Sequence, residues 1–178
     1  MGERIATPYE GSGARAWDPG APIDAPLRPH ATRVPRAWVD YNGHMSESCY
    51  LLVVGDNADA FFRFIGIDER YRAAGHSLYT VETHLRHLGE AAEGDPLAVT
   101  LQVLDHDAKR AHIFHTIEHA GTGAVLATAE QMLLHVDSAA GRTVPMPDDL
   151  RDRLRAITEA HAVLGRPDGA GRSIGIPR

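Results

Sequence analysis

The stretch Asp40-Tyr41-Asn42-Gly43-His44-Met45 places a short polar loop directly before a long apolar run. Asn and Gly turn the backbone readily and occur at helix ends, while Asp and His can titrate or form hydrogen bonds. From Cys49 onward, apolar residues recur at steps of three and four, which places them on one face of a helix. Gly66 follows at a position where helices commonly end. The stretch therefore predicts a tight loop that opens a long buried helix. The residues of its apolar face are Tyr50, Val54, Ala58, Phe61, Phe62 and Ile65.

A polar loop at the start of a buried helix has two interpretations. In the first, its side chains only cap the helix. In the second, the loop is an active site, because the free N–H groups at a helix N-terminus stabilise a developing oxyanion.

Composition and charge narrow the class of protein. The chain has 178 residues, of which 43% are apolar and 24% charged, as expected of one domain with its own core. The net charge of −6 argues against nucleic-acid binding and against an anionic membrane surface, but a local basic patch could still bind a small anion. Cys49 is the single cysteine, so we expect no intrachain disulfide, no cysteine zinc site and a cytoplasmic location. The sequence shows neither a membrane-spanning apolar run nor the pattern of a signal peptide.

The chain divides into an arm, a domain and a tail. Residues 1–29 are rich in Gly, Pro and Ala and predict a flexible arm, with Trp17 docking on the domain. Residues 30–165 form the predicted domain and residues 166–178 a loose tail. Within the domain, residues 30–39 predict a first strand, in which Pro35 indicates an edge or a bulge. Residues 66–75 predict a turn or a short second helix.

The second half of the domain alternates between apolar and polar residues, which is typical of strands. Strands are predicted at residues 77–88, 97–103, 110–119 and 125–136, and an amphipathic helix at residues 148–164. An acidic turn is expected at residues 89–96. Short turns between consecutive strands favour an antiparallel sheet, and the long apolar helix must be covered by it. We therefore expect an α+β domain with a curved antiparallel sheet wrapped around a long central helix.

Three blocks of sequence, in this order, carry a resemblance to a known family. They are Trp38–Met45, Tyr79–Leu88 and Ala127–Asp137. The first resembles the Asp-x-x-Gly-His loop of hotdog-fold acyl-CoA thioesterases, although Ser46 stands where an Asn is common. The three together resemble the betainyl-CoA thioesterases of carnitine degradation, which occur alone or fused behind an L-carnitine dehydrogenase.

This resemblance implies a hotdog fold and hydrolysis of an acyl-CoA without a cofactor. The implied substrate is betainyl-CoA, which gives glycine betaine and coenzyme A. The chain would be the stand-alone form, and it would act as a homodimer or a dimer of dimers in which two subunits share each active site.

Asp40 is the candidate nucleophile or general base, and the residues alone leave both roles open. The expected oxyanion donors are backbone N–H groups near Gly43 to Met45, or those at a second helix end. His44 would orient Asp40 or the substrate carbonyl, and Asn42 would shape the loop. Glu82 is a second candidate carboxylate, as a base, a water-binding group or a counter-charge. The alternating pattern alone fits equally well a solvent-exposed strand face on which Glu82 has no role in the site.

A betainyl group has a permanent positive charge and no N–H donor, so it suits aromatic walls beside a carboxylate. Candidate walls are Trp38, Tyr41, Tyr50 and Tyr79, although Tyr50 would also suit the core. Candidate carboxylates are Glu82, Asp56 and Asp59. Candidate partners of the coenzyme A phosphates are Arg86, Lys109, Arg110 and Arg142.

Other functions remain open at this point. The eleven histidines do not predict a metal site, because His84 and His87 would point to opposite faces of a strand. Alternatives are a hotdog thioesterase for another short-chain or aromatic acyl-CoA, an acyl-CoA-binding module without turnover, and a dehydratase on the same fold.

Overall fold

The computed structural model describes residues 7–11 and 15–176 of the chain. The predicted arm and tail therefore extend partly outside the described residues. The strands are β1 (Leu27–Arg33), β2 (His76–His87), β3 (Pro96–His106), β4 (Arg110–His119), β5 (Val125–Asp137) and β6 (Arg142–Thr143). The helices are α1 (Glu47–Phe64), α2 (Glu69–Ala73) and α3 (Asp148–His161), with short 3-10 turns at Arg36–Trp38 and Ala162–Leu164.

The strands form one antiparallel sheet in the order β1-β3-β4-β5-β2, and the short β6 pairs with β5. β3, β4 and β5 are joined by tight turns. β2 and β3, however, lie far apart in the sheet, so residues 88–95 cross from one side of the sheet to the other. β2 lies at one edge of the sheet with no second neighbour among the described strands.

The sheet curves around α1 and buries it in two apolar clusters. One cluster packs Phe61 and Phe64 of α1, with the C-cap residue Ile65, against Leu154 and Ile157 of α3. The other packs Val53 and Val54 of α1 against Val99 and Ile117 of the sheet. The face of the sheet toward α1 is called the inner face, and the opposite face the outer face. The predicted α+β domain, with a curved antiparallel sheet around a central helix, is confirmed.

The first predicted strand is wrong in its bounds. β1 begins at Leu27 and ends at Arg33, and the residues after Pro35 form a 3-10 turn, because proline fixes its own φ and donates no hydrogen bond to a sheet. β6 was not predicted, since two residues give no alternating pattern.

The ends of the described chain pack on the domain. Trp17 lies 5.4 Å from Phe64, ring centre to ring centre, and contacts the core as expected. Residues 165–173 cross the outer face of the sheet. In the described part of the chain, no helix combines the length and apolarity required to cross a membrane.

Candidate functional site

The loop before α1 is closed by backbone hydrogen bonds. Asp40 N donates to His44 O at 3.0 Å, and Gly43 N donates to Asp40 O at 3.1 Å. Gly43 has a φ of 82°, a left-handed conformation that favours glycine. The Asp40 carboxylate accepts a bond from Asn42 N at 2.7 Å through Oδ1, and Oδ2 has no hydrogen-bond partner in the described chain. The loop is thus fixed with one carboxylate oxygen available.

Several amides at this end of α1 are also available. Met45 N is engaged, because it donates to Ala91 O at 2.8 Å. Ser46 occupies the N-cap position, but its side chain lies against Ser48 Oγ at 3.3 Å and caps no backbone group. Within the described residues, the N–H groups of His44, Glu47 and Ser48 have no acceptor. Of the expected donors from Gly43 to Met45, only that of His44 is therefore available, and the first turn of α1 adds two more.

The loop, the first turns of α1 and the segment after β2 enclose an open cleft of about 400 Å³. Tyr50 forms one wall: its hydroxyl donates to Gly89 O at 3.2 Å, and its ring meets that of His87 edge to face at 5.1 Å. His44 Nε2 lies 3.5 Å from Glu90 Oε2. The residues that line the cleft are Asp40, Asn42, His44, Met45, Glu47, Tyr50, His87, Gly89 and Glu90.

The cleft is acidic. Three of its lining residues, Asp40, Glu47 and Glu90, carry carboxylates, and none of the described lining residues is Lys or Arg. Burial raises the pKa of the Tyr50 hydroxyl, and the Glu90 carboxylate adds to the rise. The geometry thus offers a carboxylate, free amide donors and a negative field around an aromatic wall.

Glu47, His87 and Glu90 were missed by the sequence analysis. Glu47 directly follows the predicted loop, and Glu90 lies in the acidic turn that was predicted without a role. Their proximity to Asp40 depends on the path of residues 88–95, which local sequence patterns do not reveal.

Glu82 is not brought to Asp40 within one copy of the chain. It lies on the outer face, in a second cleft of about 330 Å³ that it shares with His84, His112 and Glu130. In this copy, therefore, the carboxylates near Asp40 are Glu47 and Glu90 rather than Glu82.

The other aromatic candidates lie outside the cleft. Trp38 is half-buried and packs on the core beneath the loop. Tyr41 is 96% exposed at the tip of the loop, and Tyr79 is 50% exposed on β2. Tyr50 is the aromatic candidate that lines the cleft in one copy.

The basic candidates also lie elsewhere. Arg86 is on the outer face, where it binds Asp168 of the tail. Arg110 is paired with Asp107, and Lys109 precedes it in the β3–β4 turn. Ile117 of β4 and His87 of β2 both pair with Ala127 of β5, so Ile117 lies level with the His87 end of the sheet. Arg110 is seven residues away from Ile117 along β4, which places this turn about 23 Å from the cleft.

Asp56 and Asp59 lie along α1 beyond the cleft. Asp59 pairs with Arg63 Nε at 3.0 Å, whereas Asp56 is buried with no hydrogen-bond partner in the described chain. Burial, with Asp59 nearby, raises the pKa of Asp56 to about 6. Across residues 7–11 and 15–176, no three His, Cys, Asp or Glu side chains are grouped to hold a metal ion.

Comparison with known proteins gives consistent matches. Residues 34–154 match the model of the thioesterase-like superfamily. A Pseudomonas aeruginosa protein named betainyl-CoA thioesterase is 45% identical over 152 residues, which are 85% of this chain and 96% of that protein. An L-carnitine dehydrogenase/betainyl-CoA thioesterase of Rhizobium meliloti is 53% identical over 92% of this chain, and the chain spans about a third (34%) of that relative.

A solved structure shares this fold. A Staphylococcus aureus protein in complex with CoA superposes with a TM-score of 0.79 at 25% identity. The superposition covers 88% of this chain and 100% of that structure.

Proposed function

Because this chain belongs to the thioesterase-like superfamily, as its sequence predicts, we propose that it hydrolyses betainyl-CoA to glycine betaine and coenzyme A. The reaction would be a step of carnitine degradation, the pathway to which the names of its relatives point. We place it in the cytoplasm, in keeping with the free Cys49 and the absence of other cysteines in the sequence. The observation that carries the proposal is the acidic cleft around Asp40.

Asp40 activates the attacking group. As a general base, its free Oδ2 takes a proton from water while the water oxygen attacks the thioester carbonyl carbon. As a nucleophile, the same oxygen attacks that carbon directly and forms an anhydride, which water then hydrolyses. In both routes the carbon–sulfur bond breaks and the sulfur leaves as the thiolate of coenzyme A. It then takes a proton, from Asp40 in the first route and from water in the second.

The amides of His44, Glu47 and Ser48 are suited to stabilise the oxyanion. They lie at the N-terminus of an 18-residue helix, where the aligned peptide dipoles add positive potential. His44, facing Glu90, is held beside the reacting centre, and Asn42 holds the carboxylate of Asp40 through its backbone amide.

The charge of the cleft supports a cationic acyl group. Tyr50 supplies an aromatic wall, and the carboxylates of Glu47 and Glu90 supply negative charge without a competing Lys or Arg among the described lining residues. An uncharged or anionic acyl group would gain nothing from this field.

The phosphates of coenzyme A need cations, and the described residues that line the cleft include no Lys or Arg. A homodimer would supply cations from its second copy. β2 has a free edge, on which Tyr79 and Val81 are 50% and 55% exposed. If two β2 strands pair antiparallel, the His87 end of one lies beside the His76 end of the other. That pairing brings Lys109 and Arg110 of the second copy toward the cleft of the first, so we propose active sites shared between two copies.

The test is release of free thiol from betainyl-CoA and from its neutral isostere 3,3-dimethylbutyryl-CoA, by the wild-type protein and by Asp40→Asn. Asn keeps the acceptor that Asn42 N needs, so the loop should remain folded, which circular dichroism checks. We expect preferential release from the cationic thioester, and a loss of about 10² to 10⁴-fold in kcat for Asp40→Asn.

Three other results would contradict parts of the proposal. Equal rates on both thioesters would remove the cationic preference and keep the thioesterase. Full activity of Asp40→Asn would remove Asp40 from the reaction. Tight binding of both thioesters without thiol release would favour a binding module.

A further inference from the structure

The chain after α3 is fixed to the outer face of the sheet. Residues 165–173, called the strap, lie over the outer face and contact β3, β2 and β5 in turn. Gln102 Nε2 of β3 donates to Gly165 O at 2.8 Å, and Arg86 Nη1 of β2 donates to Asp168 O at 3.2 Å. Gly171 N donates to Glu130 Oε2 of β5 at 2.7 Å. Three strands therefore hold the strap along its course.

The side chains that bind the strap are themselves held in place. Glu130, whose side chain is 13% exposed, accepts from Gly171 with one oxygen and lies 2.6 Å from His112 Nε2 with the other. Gly169 has a φ of 84°, a left-handed conformation that favours glycine, and a Cβ there would also meet the guanidinium of Arg86. A specific fit of this kind distinguishes the strap from a tail that merely rests on the surface.

The strap ends over β5 and the edge strand β2. Gly171, Arg172 and Ser173 line the same cleft as Glu82 and His84 of β2. The next apolar residues, Ile174 and Ile176, are 92% and 93% exposed and gain no burial from their own domain. On β2 itself, Tyr79 and Val81 are half-exposed.

We propose that the strap delivers Ile174 and Ile176 across the β2 edge onto the outer face of a second copy of this chain. The inference rests on the pairing of two copies along β2 given above. In such a pair the outer faces of both sheets are continuous, and each strap ends over β5 and β2, the strand at the junction. Burial of two isoleucines by each copy then adds to an edge that backbone hydrogen bonds alone would hold weakly.

The experiment is the dimer dissociation constant of the full chain, measured by fluorescence-detected sedimentation. The double variant Ile174→Ser/Ile176→Ser should raise this constant by at least about tenfold. Val163→Ser is the matched control, because Val163 is 82% exposed but follows α3 outside the strap. It should stay within about twofold of the wild type.

Gly169→Ala tests the strap itself, because it displaces the backbone from Arg86 without removing an isoleucine. It should weaken the dimer as the double variant does. An unchanged constant in both variants would overturn the proposal, as would a wild-type protein that stays monomeric at every concentration. Betainyl-CoA hydrolysis is assayed separately, at concentrations where each variant is dimeric. An inactive wild type would count against the proposed function, but the comparison of dissociation constants would still stand.

Discussion

His115 is fully buried in β4 and is held as a neutral imidazole by its two neighbours. Its Nδ1 lies 2.8 Å from Asn57 Nδ2, an amide that only donates, so Nδ1 accepts. Its Nε2 therefore carries the proton and donates to Gln131 Oε1 at 3.1 Å, and Gln131 donates onward to Thr83 Oγ1. A chain of polar groups thus links the middle of α1 to the edge strand β2.

This arrangement predicts acid sensitivity. Burial lowers the pKa of His115 from 6.5 to about 4, and the bond to Gln131 only partly opposes it. Because the unfolded state binds the proton more readily, the stability that neutral His115 contributes is complete above pH 6.5. It falls as the pH drops toward 4, by about 2 kcal/mol between pH 6.5 and 5. Urea unfolding across this range should show a shallower pH dependence in His115→Gln than in the wild type.

His84→Gln is the control, because His84 lies on the outer face of β2, away from the chain of polar groups. It should keep the wild-type pH dependence. Equal slopes for the wild type and His115→Gln would show that His115 is not the group that takes up the proton.

At the scale of elements, the sequence predicts what lies on each strand better than which strands pair. Alternating residues place Leu97, Val99, Leu101 and Val103 on the buried face, and all four are buried. The alternation contains no information about a strand's neighbour, so the crossing between β2 and β3 was expected only as an acidic turn. The same limit applies to the candidate site, because local patterns do not reveal which distant residues lie near one another. Asp40, His44, Met45 and Tyr50 line one cleft because they are neighbours around a loop and a helix start, whereas Glu90 reaches it through that crossing.

α1 contains two aspartates, three residues apart, that should respond in opposite ways to the same substitution. Asp56 has no hydrogen-bond partner in the described chain, and its pKa is raised to about 6 by burial and by Asp59. A raised pKa means that the folded state holds the proton more tightly, so stability is lost as the pH rises from 3.8 through about 6. Asp56→Asn should therefore stabilise the protein by about 2 kcal/mol at pH 7 and have little effect at pH 4.

Asp59→Asn is the matched comparison. Asp59 accepts from Arg63 Nε at 3.0 Å, and the Arg63 side chain is only 6% exposed. Loss of the carboxylate leaves a buried guanidinium with Glu69 as its remaining close partner, which should cost about 1 to 3 kcal/mol at pH 7. Denaturant unfolding at pH 4 and 7 measures both variants. Destabilisation by Asp56→Asn at pH 7 would show that this carboxylate has a favourable partner in solution.

At the scale of the whole molecule, the charges needed for an acyl-CoA lie at opposite ends of the sheet. The cleft at the His87 end is acidic, while Lys109 and Arg110 lie at the other end, about 23 Å away along β4. The net charge of −6 offers no general attraction for the phosphates, so binding has to depend on a local basic group. In the proposed dimer, antiparallel pairing of the two β2 strands would bring the two ends together twice, once at each cleft.

Val81→Lys tests whether the site depends on this pairing. Val81 is 55% exposed on the free edge of β2, and a lysine there places a charge of one copy close to the same charge of the other. We expect monomers at micromolar concentration and a KM for betainyl-CoA raised at least about tenfold, because the described lining of one cleft contains no Lys or Arg for the phosphates. Val163→Lys adds the same charge at an 82% exposed position after α3 and should leave both the oligomeric state and KM unchanged. A monomeric Val81→Lys protein with the wild-type KM would mean that one copy completes its own site. The coenzyme A phosphates would then have to be bound by groups near Asp40, not by Lys109 and Arg110 of a second copy.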